Sequence, residues 1–187
     1  MGKMIIVVAP SGAGKSTFID EVLRYPELPI KDTITFTTRE MREGESEGVP
    51  YFFLSEEEFL KRIEQDFFVE WAKVHSSFYG TSNEQIREFW QSGHTVIMDV
   101  DIQGAETFKR KFPEAYVVFI QPPSIETLKD RLLKRGDGKL PPDYKVRMES
   151  AKKEMAWATH ADEVIVNDVF SEAFAIFRKK VELYLKS

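Results

Sequence analysis

The chain has 187 residues, 42% of them hydrophobic and 13% aromatic, which is enough for one compact domain with a proper core and mobile insertions, and too much for a disordered chain. Its 26 basic residues are outnumbered by 31 acidic ones, and the net charge of −5 argues against a nucleic-acid partner, because phosphate-backbone binding rests on a basic excess. The absence of cysteine excludes disulfides, thiolate metal sites and a cysteine nucleophile.

The first element is the apolar run Met4-Ile5-Ile6-Val7-Val8, read as a core strand. It is too short for a signal-peptide core or a membrane span, and Ile6 stands where a myristoylation pattern begun by Met1-Gly2 needs Ser or Thr. A soluble, cytoplasmic protein without a membrane partner is the expectation. Ala9-Pro10-Ser11-Gly12-Ala13-Gly14-Lys15-Ser16-Thr17 follows, and then an amphipathic run carrying Phe18, Ile19, Val22 and Leu23. Strand, glycine-rich turn, Lys-Ser and helix in this order are the context of a phosphate-binding P-loop. Glycines let successive backbone N–H groups converge on a phosphate, and the helix presents its positive end to the same anion. Ser11, Gly12, Ala13, Gly14, Lys15, Ser16 and Thr17 are the candidate triphosphate cradle, with Lys15 reaching the β/γ-phosphates and the Ser16 hydroxyl ligating magnesium. Ala9 stands at the first glycine of the G-x-x-x-x-G-K-[ST] pattern, so the reading rests on Gly12, Gly14, Lys15 and Ser16.

Beyond the first helix, Ile30 to Thr38 alternates in part and predicts one half-exposed strand in a mixed or antiparallel patch. It runs into Thr37-Thr38-Arg39-Glu40-Met41-Arg42-Glu43-Gly44-Glu45, two arginines three apart ahead of a turn, and then into the aromatic strand Pro50-Tyr51-Phe52-Phe53. Ser55 to Glu58 ahead of Phe59, Leu60 and Ile63 reads as a capping box, with Glu58 reaching back to the cap residue's N–H. Phe67 to Val74 returns as a strand carrying Glu70; Phe78-Tyr79-Gly80-Thr81 follows, and Ser82 with Gln85 makes a second capping box before Ile86, Phe89 and Trp90. His94 to Asp101 is a buried strand ending in two acids, Ile102 to Lys111 a helix, and Ala115 to Ile120 a third core strand. A helix capped by Ser124 runs through Arg135, and Gly136 to Pro142 breaks it as a hinge or lid tip. Tyr144 to His160 is helical, Glu163 to Asn167 a last strand and Phe170 to Leu185 a last helix. Strands separated by helices imply right-handed crossovers and a parallel sheet, and no repeat or linker divides the chain.

A P-loop by itself implies only that a nucleoside triphosphate binds. Four readings compete: a GTPase switch, a mechanical ATPase, a small-molecule kinase, and a binding module without chemistry. Asp101-Ile102-Gln103-Gly104 matches the D-x-x-G that senses a γ-phosphate, but Asn83 and Asn167 are the only asparagines and neither begins the guanine-reading N-K-x-D. Arg39 and Arg42 favour the kinase, because two guanidiniums on one turn clamp a second phosphate bidentately, with Tyr51 and Tyr79 as hydroxyl donors. Plainer roles stay open: Asp99 and Asp101 as solvated strand-end acids, the tyrosines as sheet packing, and Arg131, Arg135 and Arg147 as partners of helical acids. Glu70 beside Trp71 on an apolar strand is harder to read as structural, because a buried carboxylate needs a partner. His75, His94 and His160 lack metal-ligand spacing.

Taken together, these motifs resemble the guanylate kinase family, nucleoside monophosphate kinases that make GDP from GMP and ATP. The matching stretches are Ala9 to Ser16, Thr37 to Glu45, Phe68-Val69-Glu70-Trp71-Ala72, Tyr79-Gly80-Thr81, Asp99 to Gly104, Arg131, Arg135-Gly136, Arg147 and Val164 to Asp168, in family order. The resemblance implies an α/β P-loop NTPase three-layer fold with a central parallel sheet, a small mixed-β NMP-binding insertion and a helical lid. It implies a single domain, 1–187, with core 1–31, 89–125 and 155–187, NMP-binding region 32–88 and lid 126–154. Arg39, Arg42, Tyr51 and Tyr79 would hold the GMP phosphate, Glu70 would accept from guanine N1–H and the 2-amino group, and Thr35 and Thr81 would donate to O6. Adenine offers an acceptor at N1 and no 2-amino donor, so it would leave Glu70 unpaired.

By the same resemblance Lys15, Arg39, Arg42, Arg131, Arg135 and Arg147 neutralise the transferring phosphoryl group together with magnesium. Asp99 and Asp101 hold magnesium-bound waters or orient the acceptor-side arginines beside GMP, and Asn167 lies near the adenine of ATP. ATP, GMP and dGMP are the implied substrates, magnesium the implied cofactor, and a monomer or homodimer the implied assembly. Two alternatives remain: a scaffold module taking phosphopeptides in the arginine pocket, which typically loses the P-loop lysine and glycines, and a kinase of another phosphorylated acceptor such as a sugar.

Overall fold

Period-two alternation puts both faces of the first strand into core. Ile5 and Val7 pack into one buried cluster, and Met4, Ile6 and Val8 into another on the opposite face. A strand buried on both faces belongs to a parallel sheet covered by helices on each side. The structure, a computed structural model, describes residues 2–74, 76–135, 138–141 and 143–187, without the Arg135 side chain. In chain order its elements are β1 (Met4–Val8), α1 (Lys15–Val22), β2 (Ile30–Asp32), β3 (Thr35–Thr37), β4 (Tyr51–Phe53), α2 (Glu56–Glu64), β5 (Phe68–Val74), β6 (Ser77–Ser82) and α3 (Asn83–Gln91). Then follow β7 (Thr95–Asp99), α4 (Ile102–Lys111), β8 (Tyr116–Gln121), α5 (Ile125–Arg135), α6 (Tyr144–Trp157) with a short 3-10 turn Ala158–His160, β9 (Glu163–Val166) and α7 (Phe170–Lys186).

The larger sheet is parallel throughout, in the order β2-β7-β1-β8-β9. Phe18 and Val22 of α1, Leu128 of α5, Ala151 of α6 and Phe177 of α7 pack on one face; Ile86 of α3 and Phe108 of α4 pack on the other. The result is the three-layer α/β arrangement, and the P-loop leaves the carboxyl end of β1 at the centre of the sheet. The second sheet, β4-β3-β6-β5, is mixed: β3 runs parallel to β4 and antiparallel to β6, and β6 antiparallel to β5. Its core is aromatic, with Phe59 of α2 stacked on Phe68 at 4.4 Å and on Phe78 at 5.4 Å between ring centroids. Each such pair adds about 0.5–1.5 kcal/mol beyond the area it buries.

Three sequence expectations are corrected. Ile30 to Thr38 is two strands in two sheets: β2 pairs with β7, while β3 joins the mixed sheet. The break falls at Ile34, whose backbone N–H donates to Gln85 Oε1 and whose carbonyl accepts from Gln85 Nε2, both at 2.9 Å. Gln85 is thereby diverted from the predicted capping box. Ser82 alone caps α3, accepting the N–H groups of Glu84 and Gln85. The strand predicted to Asp101 stops at Asp99, because Asp101 caps α4 by accepting the Gly104 N–H at 2.8 Å. At the predicted lid tip, Gly136, Asp137 and Pro142 lie outside the described residues.

Candidate active site

The P-loop glycines are required by backbone geometry. Gly12 and Gly14 have φ of +89° and +101°, in the left-handed region that side chains resist, and a Cβ on Gly14 would lie 3.0 Å from Asn167 Nδ2. The Ala13 carbonyl is held from behind by Asn167 Nδ2 at 2.8 Å and by Arg131 Nη1 at 3.4 Å. Arg131 also donates to the Asn167 carbonyl at 2.7 Å, so loop, lid-side helix and β9 end are locked together. Asn167 is buried and its Oδ1 has no partner among the described residues. From α6, Arg147 donates to Ser11 Oγ at 3.2 Å and pairs with Asp143 at 2.9 Å. A cavity of about 460 Å³ is lined by Ser11, Gly12, Gly14, Lys15, Ser16, Thr17, Asp101 and Arg131. Ala13 is buried beneath it.

A second cavity, of about 180 Å³, lies between the two sheets. Its walls include Lys15, Thr35, Tyr51, Glu70, Tyr79, Thr81, Asp99 and Asp101. Lys15 and Asp101 line both cavities, and Lys15 Nζ stands 3.5 Å from Asp99 Oδ2. Arg39 sits at the rim, 5.2 Å from the Tyr51 ring centre, with its Nη2 donating to both oxygens of Glu45 at 2.8 and 3.0 Å and its Nη1 to the Glu40 carbonyl at 2.7 Å. Arg42 donates its backbone N–H to Glu45, but its side chain is exposed and belongs to neither cavity wall. Ser16 is an exposed hydroxyl on the wall of the larger cavity, close to Lys15 and Asp101.

Burial sets the electrostatics of the smaller cavity. It raises Glu70 to a pKa of about 7, with the Asp101 charge adding to the rise and Lys111 opposing it. Burial likewise raises Tyr51, mainly by desolvation. Arg39 is pushed further above its ordinary value by its hydrogen bond to Glu45.

Three residues escaped the sequence reading. Glu154 of α6 lines the larger cavity, and desolvation raises its pKa against the attraction of Lys15. Seven residues after Arg147, it shares that arginine's helix face, which is the signal that was there to be used. Asp32, at the end of β2, is raised to about 7 by burial first and by Asp99 second. An acid at a strand end reads as solvated, so the sequence carried no sign of it. Lys111 reads as a basic residue completing a helix C-terminus, yet its ammonium donates to the Val69 carbonyl of β5. The D-x-x-G match has a structural explanation: Asp101 caps α4, and a Cβ on buried Gly104 would come within 2.9 Å of the Val100 Cβ.

Two cavities meeting at a P-loop lysine, one under a parallel sheet's central loop and one walled by an inserted mixed sheet, define a P-loop nucleotide phosphotransferase. The family profile described as Guanylate kinase matches residues 1–184. The chain is 52% identical over 180 residues to the guanylate kinase of Bdellovibrio bacteriovorus, covering 96% of each chain. It is 41% identical over 197 residues to that of Caldanaerobacter subterraneus, covering 99% of this chain and 94% of the other. The crystal structure of guanylate kinase from Anaplasma phagocytophilum superposes with a TM-score of 0.79 at 25% identity, over 100% of this chain and 87% of that one. The chain belongs to the guanylate kinase family, and its reaction is the ATP-dependent phosphorylation of GMP to GDP.

Proposed function

We propose that the larger cavity takes the ATP triphosphate and the smaller one GMP, with the phosphoryl group passing beside Lys15. The observation carrying this is that Lys15 and Asp101 line both cavities. In this reading Ser11 to Thr17 cradle the triphosphate, and Asn167, which holds the Ala13 carbonyl, lies near the adenine of ATP. Glu70, Thr35 and Thr81 read the guanine edge, Tyr51, Tyr79, Arg39 and Arg42 hold its phosphate, and Asp99 and Asp101 line the junction. dGMP is a second acceptor of the same pocket. Core 1–31, 89–125 and 155–187, NMP-binding region 32–88 and lid 126–154 divide the work in the single domain.

A phosphate monoester's second pKa is near 6, so the acceptor oxygen is largely ionised at neutral pH and no strong base is needed. The difficulty is to bring two anions together. Lys15, Arg39, Arg131 and Arg147 supply positive charge along the line where they meet, and Arg42 and Arg135 are assigned the same task. Magnesium fits the donor set: Ser16, Asp99 and Asp101 offer hard oxygens. Magnesium usually keeps several waters and takes phosphate oxygens as ligands, so few protein oxygens would be asked of this site. Bound there, it would neutralise charge on the triphosphate. No helix among the described residues is long and apolar enough to cross a membrane; the use of nucleotide substrates supports a cytoplasmic protein.

The test is ADP release measured with GMP, dGMP, AMP, CMP and UMP as acceptors. GMP and dGMP are expected to be turned over and the others not, with Lys15→Ala reducing the rate by at least about a hundredfold, as for the loss of a charge-stabilising group. AMP turnover equal to that of GMP refutes the role given to Glu70.

A further inference from the structure

Strand β5 changes register next to the base pocket. Phe68 pairs with Ser82 and Glu70 with Thr81 on β6, so Val69 is an extra residue in the ladder. The three consecutive side chains go to three places. Phe68 enters the aromatic cluster of the mixed sheet, Val69 enters the buried cluster that also holds Val96 and Phe108, and Glu70 lines the acceptor cavity. A bulged residue lacks a ladder partner for its carbonyl, and here that partner is the Lys111 ammonium, reaching over from the last residue of α4.

Lys111 also faces Glu70. The two line a small groove behind the strand, with Thr107 of α4 and with Asp66 of the turn that precedes β5. Glu70 therefore stands between opposed charges: Asp101 on the α4 cap and Lys111 at the other end of that helix. An apolar side chain at position 111 would leave the Val69 carbonyl unpaired and Glu70 with Asp101 alone.

We infer that Lys111 is a positioning residue for base recognition: it closes the β5 bulge at Val69 and thereby keeps the neighbouring Glu70 carboxylate aimed at the acceptor. This rests on the assignment of Glu70 to the guanine edge.

The experiment is a double-mutant cycle of Lys111→Met and Glu70→Gln, with Lys111→Arg and Lys111→Gln alongside, reading KM for GMP, KM for ATP and kcat. Lys111→Met is expected to raise KM for GMP about tenfold while KM for ATP and kcat stay within about twofold. Lys111→Arg restores most of the affinity, and Lys111→Gln, which keeps a donor but no charge, supplies the neutral variant if Lys111→Met does not fold. In the Glu70→Gln background, Lys111→Met adds no more than about twofold, because its effect runs through the carboxylate. Full additivity of the two substitutions, a parallel rise in KM for ATP, or an arginine variant no better than methionine overturns the inference. A Glu70→Gln variant with native GMP affinity overturns the base-edge assignment itself, and the two failures are thus distinguishable.

Discussion

Glu70 shows how a single side chain ties specificity to pH. Its carboxylate must be ionised to accept two hydrogen bonds from the guanine edge, and burial lifts its pKa to about 7 in the free enzyme. KM for GMP is therefore expected to rise as pH falls below about 7, in addition to the titration of the GMP phosphate near 6. Glu70→Gln removes the limb near 7, leaves the lower one, and costs about 2 kcal/mol at pH 8, or roughly thirtyfold in KM. A KM flat from pH 8 to about pH 6.5 in the native enzyme contradicts this. Asp32 carries the same sign into stability. Its folded-state pKa of about 7 lies above the ordinary 3.8, so the native state keeps the proton longer than the unfolded chain. The stabilisation is complete below the unfolded value and lost as pH rises through about 7. Asp32→Asn is expected to raise the Tm of nucleotide- and metal-free protein at pH 8, and to raise it less at pH 5. Each kcal/mol recovered is worth about 2–4 °C in a chain of this size. Equal shifts at both pH values would refute the assignment of a raised pKa.

At the scale of elements, the strongest structural decision is one residue wide. The chain changes sheets at Ile34, and the Gln85 amide reproduces a strand's two hydrogen bonds there. Gln85→Ala removes both and is expected to lower Tm by about 4–8 °C, taking about 1 kcal/mol per bond. Because the hinge positions only the acceptor side, KM for GMP should rise while KM for ATP does not. A change shared by both substrates would show that the bond pair holds the fold and not the pocket. The same junction marks the limit of what could be read in advance. The β1 run, the P-loop, the α4 helix and the aromatic strands were legible, because each is specified by local periodicity or by turn chemistry. Splitting Ile30 to Thr38 depended on Gln85, which is far along the chain and fits a capping box equally well. Thr35, Tyr51, Glu70, Tyr79 and Thr81 were named in advance and line one cavity. Lys111 and Asp32 were not, since a helix-end lysine and a strand-end acid carry no local mark of burial or of a distant partner.

For the whole molecule, charge distribution matters more than its sum. A net charge of −5 should repel two polyanionic nucleotides, yet Lys15, Arg131 and Arg147 converge on the P-loop and Arg39 stands at the acceptor rim. The screening length is about 8 Å at physiological ionic strength, so a ligand inside either cavity feels the charges that line it, the cations together with Glu70, Asp99, Asp101 and Glu154, while the dispersed surface acids are largely screened. The two influences respond to salt with opposite signs. If net repulsion dominated, added salt would tighten nucleotide binding; if the local cations dominate, it weakens it. KM for GMP and for ATP is expected to rise several-fold between about 50 and 300 mM monovalent salt, with little change in kcat once both substrates saturate. The acceptor side carries the sharper test, because Arg39 is already neutralised by Glu45 in the free protein. GMP phosphate must compete with that pair, so Glu45→Gln should steepen the salt dependence of KM for GMP by freeing the full charge of Arg39. An unchanged slope would mean that the Arg39 guanidinium, even when freed, does not reach the GMP phosphate, and would refute its assignment to that phosphate.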